Sequence, residues 1–440
     1  MSRLISVGVD VGTTSTQMVL SELIIENRAG SFAVPRMEIM ERKILCKSPV
    51  HFTPLIRGEL VDGEKLREIV DAEYEKAGIR KAEVDTGAII ITGETSRKEN
   101  ARTVLQALSD YAGEFVVATA GPDLESMLAA RGAGAVEFSE KTGKRVLHMD
   151  IGGGTSNLAL IEAGKITATT CLNVGGRLLK IEPDGRIAYV SPALEGLFSG
   201  NGGDYVNQET VMQLCRKLAR ALEWAAGLRP EESWMKKLCT DGAGELKPPR
   251  DAVISFSGGV ADCIERDRDW LAFADMGPEL GKAIRESLLC KGPYMLGQET
   301  IRATVIGAGC HSTQLSGSTV FYQNVDFPLK NLPVVESADD LKTLDGPGVL
   351  ALKGERAPHY GQVAALAEEL AAAFGARPVF LALREDMAKA LGQQLALRLG
   401  RGGQILCIDR VQLKAGDYLD VGAPVGPALP VVIKTLILSR

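Results

Sequence analysis

Apolar residues alternate along the start of the chain, in "SVGVDVGTTSTQMVLSEL". Val7, Val9 and Val11 lead into a turn, and Met18 and Leu20 lead out of it. Period-two alternation broken by glycine and hydroxyl residues predicts strand, tight turn, strand. The pattern returns in "VLHMDIGGGTSNLAL", where Leu158 and Leu160 alternate after the turn. A helical period marks Gln208 to Ala226, with Val211, Cys215, Leu218 and Leu222 on one stripe and Arg216, Lys217 and Arg220 off it. Past Gly317 the pattern changes. "GVLAL" reads as a strand, and "HYGQVAALAEELAAAFG" as a helix ended by Gly375. "RPVFLALR" reads as a strand, "MAKALGQQLALRLG" as a helix ended by Gly400, and "QILCIDRVQL" and "LPVVIKTLIL" as strands. That order predicts a small α/β domain over residues 319–440. The polar segment around Glu26 to Gly63, marked by proline and glycine, reads as an interruption of the first lobe, with His51 as a packing histidine.

The two hairpins share more than alternation. Aligned on Asp10 and Asp150, both read D-[VI]-G-x-x-[ST]-[ST]-x-x-x-L, 140 residues apart. That offset suits two related lobes rather than a solenoid. Glycine permits positive φ and leaves backbone N–H groups bare, and successive N–H groups form a nest for anions. Thr13, Thr14, Thr155 and Ser156 add hydroxyl donors at the same place. A lone carboxylate in an apolar strand costs several kcal/mol unless paired. Two carboxylates about 8 Å apart repel by roughly 2 kcal/mol at an effective dielectric near 20. A divalent cation on phosphates removes both costs, because Mg²⁺ takes one or two carboxylates, phosphate oxygens and water. Asp10 and Asp150 are thus the candidate metal ligands, and Gly12, Gly152, Gly153 and Gly154 the phosphate cradle. G-x-x-x-x-G-K-[ST], G-x-G-x-x-G, G-x-S-x-G and H-E-x-x-H do not occur.

Composition narrows the classes. The chain has 440 residues, 45% of them apolar, enough for two or three domains with sizeable cores. Net charge is −6 with no basic run, which argues against nucleic acid or an anionic membrane as partner. No apolar run approaches the about 20 residues of a membrane helix. Asp10 comes too early for a secretory signal. Eight scattered cysteines without a C-x-x-C pair read as reduced core thiols of a cytosolic protein. Cys310 and His311 read as core rather than metal ligands.

The paired hairpins resemble those of the actin, sugar-kinase and heat-shock-chaperone ATPases. Further segments follow in the order that superfamily uses. "LESMLAARGAGA" is similar to its first connecting helix, which implies that Glu125 positions the attacking water. "LNVGGRLL" and "AVISFSGGVADCI" are similar to its nucleotide-side glycine turns, which implies roles for Gly175, Gly176, Gly258 and Gly259 at the nucleoside. "IRATVIGAGCHS" resembles the second connecting helix, whose small residues let two helices cross closely. In relatives, basic residues on a helix like Gln208 to Ala226 flank the adenine. The resemblance implies a two-lobed actin-like (ribonuclease H-like) ATPase core with an additional C-terminal α/β domain. The first lobe spans 1–143 with 301–318 returning to it, the second 144–300 and the extra domain 319–440.

Within that superfamily the whole chain resembles the reactivating factors of ethanolamine ammonia-lyase. "KSPVHFTPL", "IITGETSRKENA" and "GDYLDVGAPVGPALPVVIKTLIL" carry this resemblance, the last outside the ATPase core. It implies a cytosolic chaperone using ATP and Mg²⁺, whose partner is ethanolamine ammonia-lyase carrying cobalamin; the lack of a motif that fixes a γ-phosphate lysine points to slow hydrolysis. It leaves open a homo-oligomer and association with a bacterial microcompartment. Chaperone relatives place a lysine near the γ-phosphate. Here no motif fixes one, and Lys98 reads better as a solvated loop residue than as that lysine. The C-terminal domain reads as a client-recognition or scaffold element. Two other functions remain in view. "DVGTTS" also opens many sugar kinases, in which Asp150 would have to act as the base. An actin-like adaptor that only binds ATP is the other.

Overall fold

The computed structural model describes residues 2–12, 15–27, 37–56, 60–92, 117–119, 122–198, 204–240, 246, 248, 251–311, 313–316, 319–426 and 428–435. Thr13, Thr14 and Lys98 lie outside the described residues. Three large sheets organise the chain.

The first sheet holds β1 (Ser2–Val11), β2 (Ser15–Asn27), β3 (Met37–Lys47), β4 (Thr86–Ile91) and β5 (Val117–Thr119) in the order 3-2-1-4-5. Strands β1 to β3 form an antiparallel meander, and β4 and β5 run parallel to β1. The alternation read from sequence sets the register: Val7 faces Leu20, Val9 faces Met18 and Val11 faces Thr16. Helix α1 (Gly63–Ala77) starts on Asp62, whose side chain accepts from the Lys65 N–H, and ends on Gly78 at φ 67°. Leu66, Val70 and Tyr74 of α1 pack on Val7, Val9 and Ile89. His51 pairs with the buried Glu73 of α1 at 3.0 Å.

After helix α2 (Pro122–Gly132) the second sheet repeats the first. It holds β6 (Val146–Ile151), β7 (Ser156–Glu162), β8 (Lys165–Leu172), β9 (Val253–Ser257) and β10 (Tyr294–Leu296) in the order 8-7-6-9-10. The directions are those of the first sheet. Two sheets with one topology are the structural counterpart of the duplicated hairpin, and they give the chain its actin-like, two-lobed α/β core. Helices α3 (Gln208–Ala225) and α4 (Gly277–Glu286) cover the second sheet. The predicted stripe of α3, Val211, Cys215, Leu218 and Leu222, is fully buried. Off that stripe, Arg216 pairs with Glu286 at 3.6 Å and Arg220 pairs with Glu232.

Helix α5 (Ala303–His311) crosses α2 at a close approach. A Cβ on Gly132 would lie 1.8 Å from the carbonyl of Ala303, and one on Gly307 would lie 2.1 Å from that of Leu128. The same helix sits on β1, where a Cβ on Gly8 would meet the Val305 carbonyl at 2.4 Å.

The third sheet holds β11 (Thr313–Leu315), β12 (Phe321–Gln323), β13 (Leu329–Val335), β14 (Val349–Leu352), β15 (Val379–Leu383), β16 (Ile405–Ile408), β17 (Asp417–Val421) and β18 (Pro430–Thr435). Their order is 11-18-17-13-14-15-16-12. Strands β13 to β16 are parallel, and α6 (Tyr360–Phe374) and α7 (Ala388–Leu399) pack on one face. Both helices end where the glycines predicted, on Gly375 and Gly400. β11 pairs with β18, so residues 313–315 are already part of this sheet. Among the described residues no helix is long and apolar enough to cross a membrane. The eight cysteines are free thiols.

Candidate functional site

The ends of β1 and β6 bring the two aspartates together. Asp10 stands opposite Gln17 in its hairpin, and Asp150 stands opposite Asn157. The turns close alike: the Gly12 N–H donates to the Ser15 carbonyl and the Gly152 N–H to the Thr155 carbonyl, both at 2.9 Å. Gly12, Gly152, Gly153 and Gly154 do not use the left-handed conformation. They serve as bare backbone, not as a means of reaching positive φ. A Cβ on Gly154 would meet nothing within 4 Å, so that turn faces open space.

Each carboxylate is held by a hydroxyl from the parallel strand beside it. The Thr92 Oγ1 donates to Asp10 at 2.8 Å, and the Ser257 hydroxyl donates to Asp150. Ser257 also bonds His148 Nε2 at 2.9 Å, and His148 Nδ1 bonds Ser255 at 3.0 Å. Helix α5 reaches the same spot. The Thr304 hydroxyl donates to Asp150 at 3.4 Å, and the Ile301 carbonyl, two residues before the helix, accepts from Gln17 Nε2 at 3.2 Å.

The electrostatics ask for a cation. Burial, partly offset by the Thr92 hydrogen bond and reinforced by Asp150, lifts Asp10 to about 7. Burial lifts Asp150 to about 6 against its hydrogen bonds from Ser257 and Thr304. His148 is pushed down to about 3 by burial, so it is neutral and neutralises neither carboxylate. Gln17 Oε1 and Asn157 Oδ1, on the residues facing the two aspartates, are buried and accept no hydrogen bond. Two carboxylates, two orphaned carbonyl oxygens and a bare turn suit a hard cation that keeps water. Among the described residues no cluster of three metal-ligating side chains occurs.

The remaining predicted residues surround this centre unequally. Gly175 packs on the phosphate turn, where a Cβ would lie 2.4 Å from the Gly153 carbonyl. A Cβ on Gly176 would lie 2.9 Å from Gly277 Cα. A Cβ on Gly258, at φ 87°, would lie 2.3 Å from the Ile151 carbonyl, so the chain itself requires that glycine. A Cβ on Gly259 would meet only Ile301, at 4.0 Å, which leaves space beside it. Glu125 is half-buried in the first turn of α2.

Sequence reasoning passed over Arg177. Its stem covers Gly153, with Cδ 3.4 Å from where that glycine's Cβ would stand. Its Nε donates to the buried Asp275 at 3.2 Å, which leaves the two Nη groups for other partners. It follows the Gly175–Gly176 turn directly, a signal available in the sequence.

The sequence matches the family described as "Ethanolamine utilisation protein EutA" over residues 2–347 and 340–439. Ethanolamine ammonia-lyase reactivase EutA of Salmonella typhimurium strain LT2 is 39% identical, covering 99% of this chain and 98% of that protein. The protein of that name from Escherichia coli strain K12 is 38% identical over the same shares. Solved structures resemble the chain more distantly. The Aquifex aeolicus PPX-GPPA enzyme gives a TM-score of 0.42 at 13% identity, covering 70% of this chain and 99% of its own. Ethanolamine utilization protein EutJ from Carboxydothermus hydrogenoformans gives 0.36 at 16% identity, covering 70% and 90%. With its duplicated aspartate hairpins and a match that runs from the first strand through the third sheet, the chain belongs to the EutA family of ethanolamine utilisation proteins.

Proposed function

We propose that this chain reactivates ethanolamine ammonia-lyase by releasing damaged cobalamin so that intact adenosylcobalamin can bind. The observation that carries the reading is the 38–39% identity to the curated reactivases along 99% of the chain, third sheet included. ATP with Mg²⁺ is the cofactor that the duplicated site suits. When bound, it would supply the positive charge the two aspartates face.

The chain's own residues then have distinct tasks. Asp10 and Asp150 hold the metal, with Thr92 and Ser257 fixing their oxygens. Gln17 and Asn157 offer free carbonyl oxygens to the metal's water. Gly12, Thr13 and Thr14 on one side, and Gly152, Gly153, Gly154 and Thr155 on the other, cradle phosphates. Arg177 adds the cation that no lysine motif supplies. Gly175, Gly176, Gly258 and Gly259 line the nucleoside, and Glu125 orients the attacking water. We assign 1–143 with 301–318 and 144–300 to the two lobes and 319–440 to contact with the client, with β11 as the strand joining these parts. The work is cytoplasmic in this reading, alongside the lyase.

A ligand shifts a conformational equilibrium only by its different affinity for the two states. The two hairpins would hold a bound nucleotide from both lobes, so its loss would change which arrangement of the lobes is favoured. The test is recovery of ethanolamine ammonia-lyase inactivated with a cobalamin lacking its adenosyl group. Activity returns with this protein, Mg-ATP and fresh adenosylcobalamin, and omission of ATP abolishes the return. Equal recovery with and without the protein overturns the reading.

A further inference from the structure

A second polar site lies away from the aspartates. The outer strand β3, the last turn of α2, the end of α5 and strand β11 enclose an open cleft of about 530 Å³. Arg42 of β3, Arg131 of α2 and His311 of α5 line it, with Glu38, Ile39 and Thr313. None of these residues belongs to the aspartate centre.

The cleft gathers positive charge. Arg42 Nε donates to the Cys310 carbonyl at 2.8 Å, an ordinary use of a cation at a helix C-terminus. Its two Nη groups remain. The Arg131 guanidinium has no hydrogen-bond or ion-pair partner among the described residues. Desolvation lowers both guanidinium groups below the usual arginine range, and Arg131 lowers Arg42 further. His311 falls to about 3, through burial first and then Arg42 and Arg131, so it stays neutral. One nearby acid offsets this in part, and another lines the cleft itself. Glu137 raises Arg42 while pairing with Lys141 at 2.5 Å, and Glu38 brings a carboxylate into the same cleft. Capping of α5 accounts for Arg42 and leaves Arg131 without a structural task. Arg42 is exposed on the outer strand and Arg131 half-buried, and two guanidinium forks facing one cavity are the usual means of gripping a planar or tetrahedral oxyanion.

We propose that this cleft binds a doubly charged oxyanion, a phosphate monoester or a dicarboxylate, between Arg42 and Arg131. Because α2 and α5 both contribute, such a ligand bears on the helix crossing at Gly132 and Gly307. The proposal does not depend on the nucleotide reading, and its test separates the two. Full-length protein is first saturated with Mg-ADP and then titrated calorimetrically with inorganic phosphate and, separately, with malonate, against a chloride control of equal ionic strength. We expect saturable binding of at least one probe, the tighter identifying the source, and at least a tenfold loss of affinity in Arg131→Ala. Arg131→Lys keeps charge without the fork and should lose affinity to a smaller extent, which covers the case in which the alanine variant folds poorly. Binding of neither probe, or equal affinity in wild type and the Arg131 variants, overturns the proposal.

Discussion

The stem of Arg177 lies on Gly153, and its Nε is fixed by Asp275 98 residues further along the chain. The guanidinium is therefore anchored at one edge and held beside the turn assigned to phosphate. Arg177→Ala should weaken binding of ADP and ATP at least tenfold and leave adenosine affinity unchanged, as read by calorimetry. Arg177→Lys should restore only part, because it cannot keep the Asp275 contact and offer a fork at once. Unchanged nucleotide affinity in the alanine variant would remove Arg177 from the site.

Asp10→Asn and Asp150→Asn test the metal assignment. Each removes a metal ligand and also the repulsion between two desolvated carboxylates. Mg-dependent nucleotide affinity should fall at least tenfold, about 1.4 kcal/mol. The nucleotide-free variants should melt no lower than wild type. Loss of stability with Mg-ATP affinity retained would show that the aspartates are structural.

The same pair predicts a pH dependence. Asp10 at about 7 and Asp150 at about 6 stand above the ordinary carboxylate value near 4. Between about pH 4 and 7 the folded chain holds protons that the unfolded chain has released, so its intrinsic stability falls as pH rises through that window. Metal binding needs the ionised forms. Mg-ATP affinity should therefore increase from about pH 5.5 to 7.5 and level off near 8. A flat profile in calorimetry would contradict the raised values.

Glu125→Gln keeps the size of a half-buried side chain in the first turn of α2 and removes its charge. ATP affinity should persist while phosphate release falls at least tenfold. Single-turnover measurements separate the two. Weaker ATP binding with normal hydrolysis of bound ATP would assign Glu125 to binding instead.

The helix crossing has no room for a methyl group. Gly307→Ala places a carbon 2.1 Å from the Leu128 carbonyl, a backbone atom that cannot swing aside. Denaturant unfolding should show a loss of about 1–3 kcal/mol. A neutral result would mean that the helices can separate without cost.

Much of the fold was legible because its hairpins and C-terminal helices follow simple periods. Val7, Val9, Met18 and Leu20 meet across the first hairpin as their alternation requires. β3 was missed: with Met40 to Lys43 exposed, this outer strand buries too little for an alternation to show. β17 was missed for a different reason. Asp417 and Asp420 are buried in it, satisfied by the N–H groups of Lys414 and Asn331, so it does not read as a core strand. In the site, the aspartates and glycines were legible as a repeat. The amide side chains seven positions after each aspartate were equally visible, but their meaning depends on the register that sets Gln17 against Asp10 and Asn157 against Asp150. The glycines of the phosphate turns were expected to exploit positive φ, and the structure uses them only for access.

Helix α5 ends at His311 and β11 begins at Thr313. One intervening residue spans at most about 7 Å between flanking Cα atoms. That limit ties the end of the helix to the start of the strand. The helix that donates Thr304 to Asp150 is thus coupled like a crankshaft to the third sheet. A turn of α5 by even part of its own pitch must be taken up as a displacement of β11 and the strand beside it. A rotation of α5 would therefore pass directly into the third sheet, and a longer linker inserted after His311 should uncouple the two while leaving both folded.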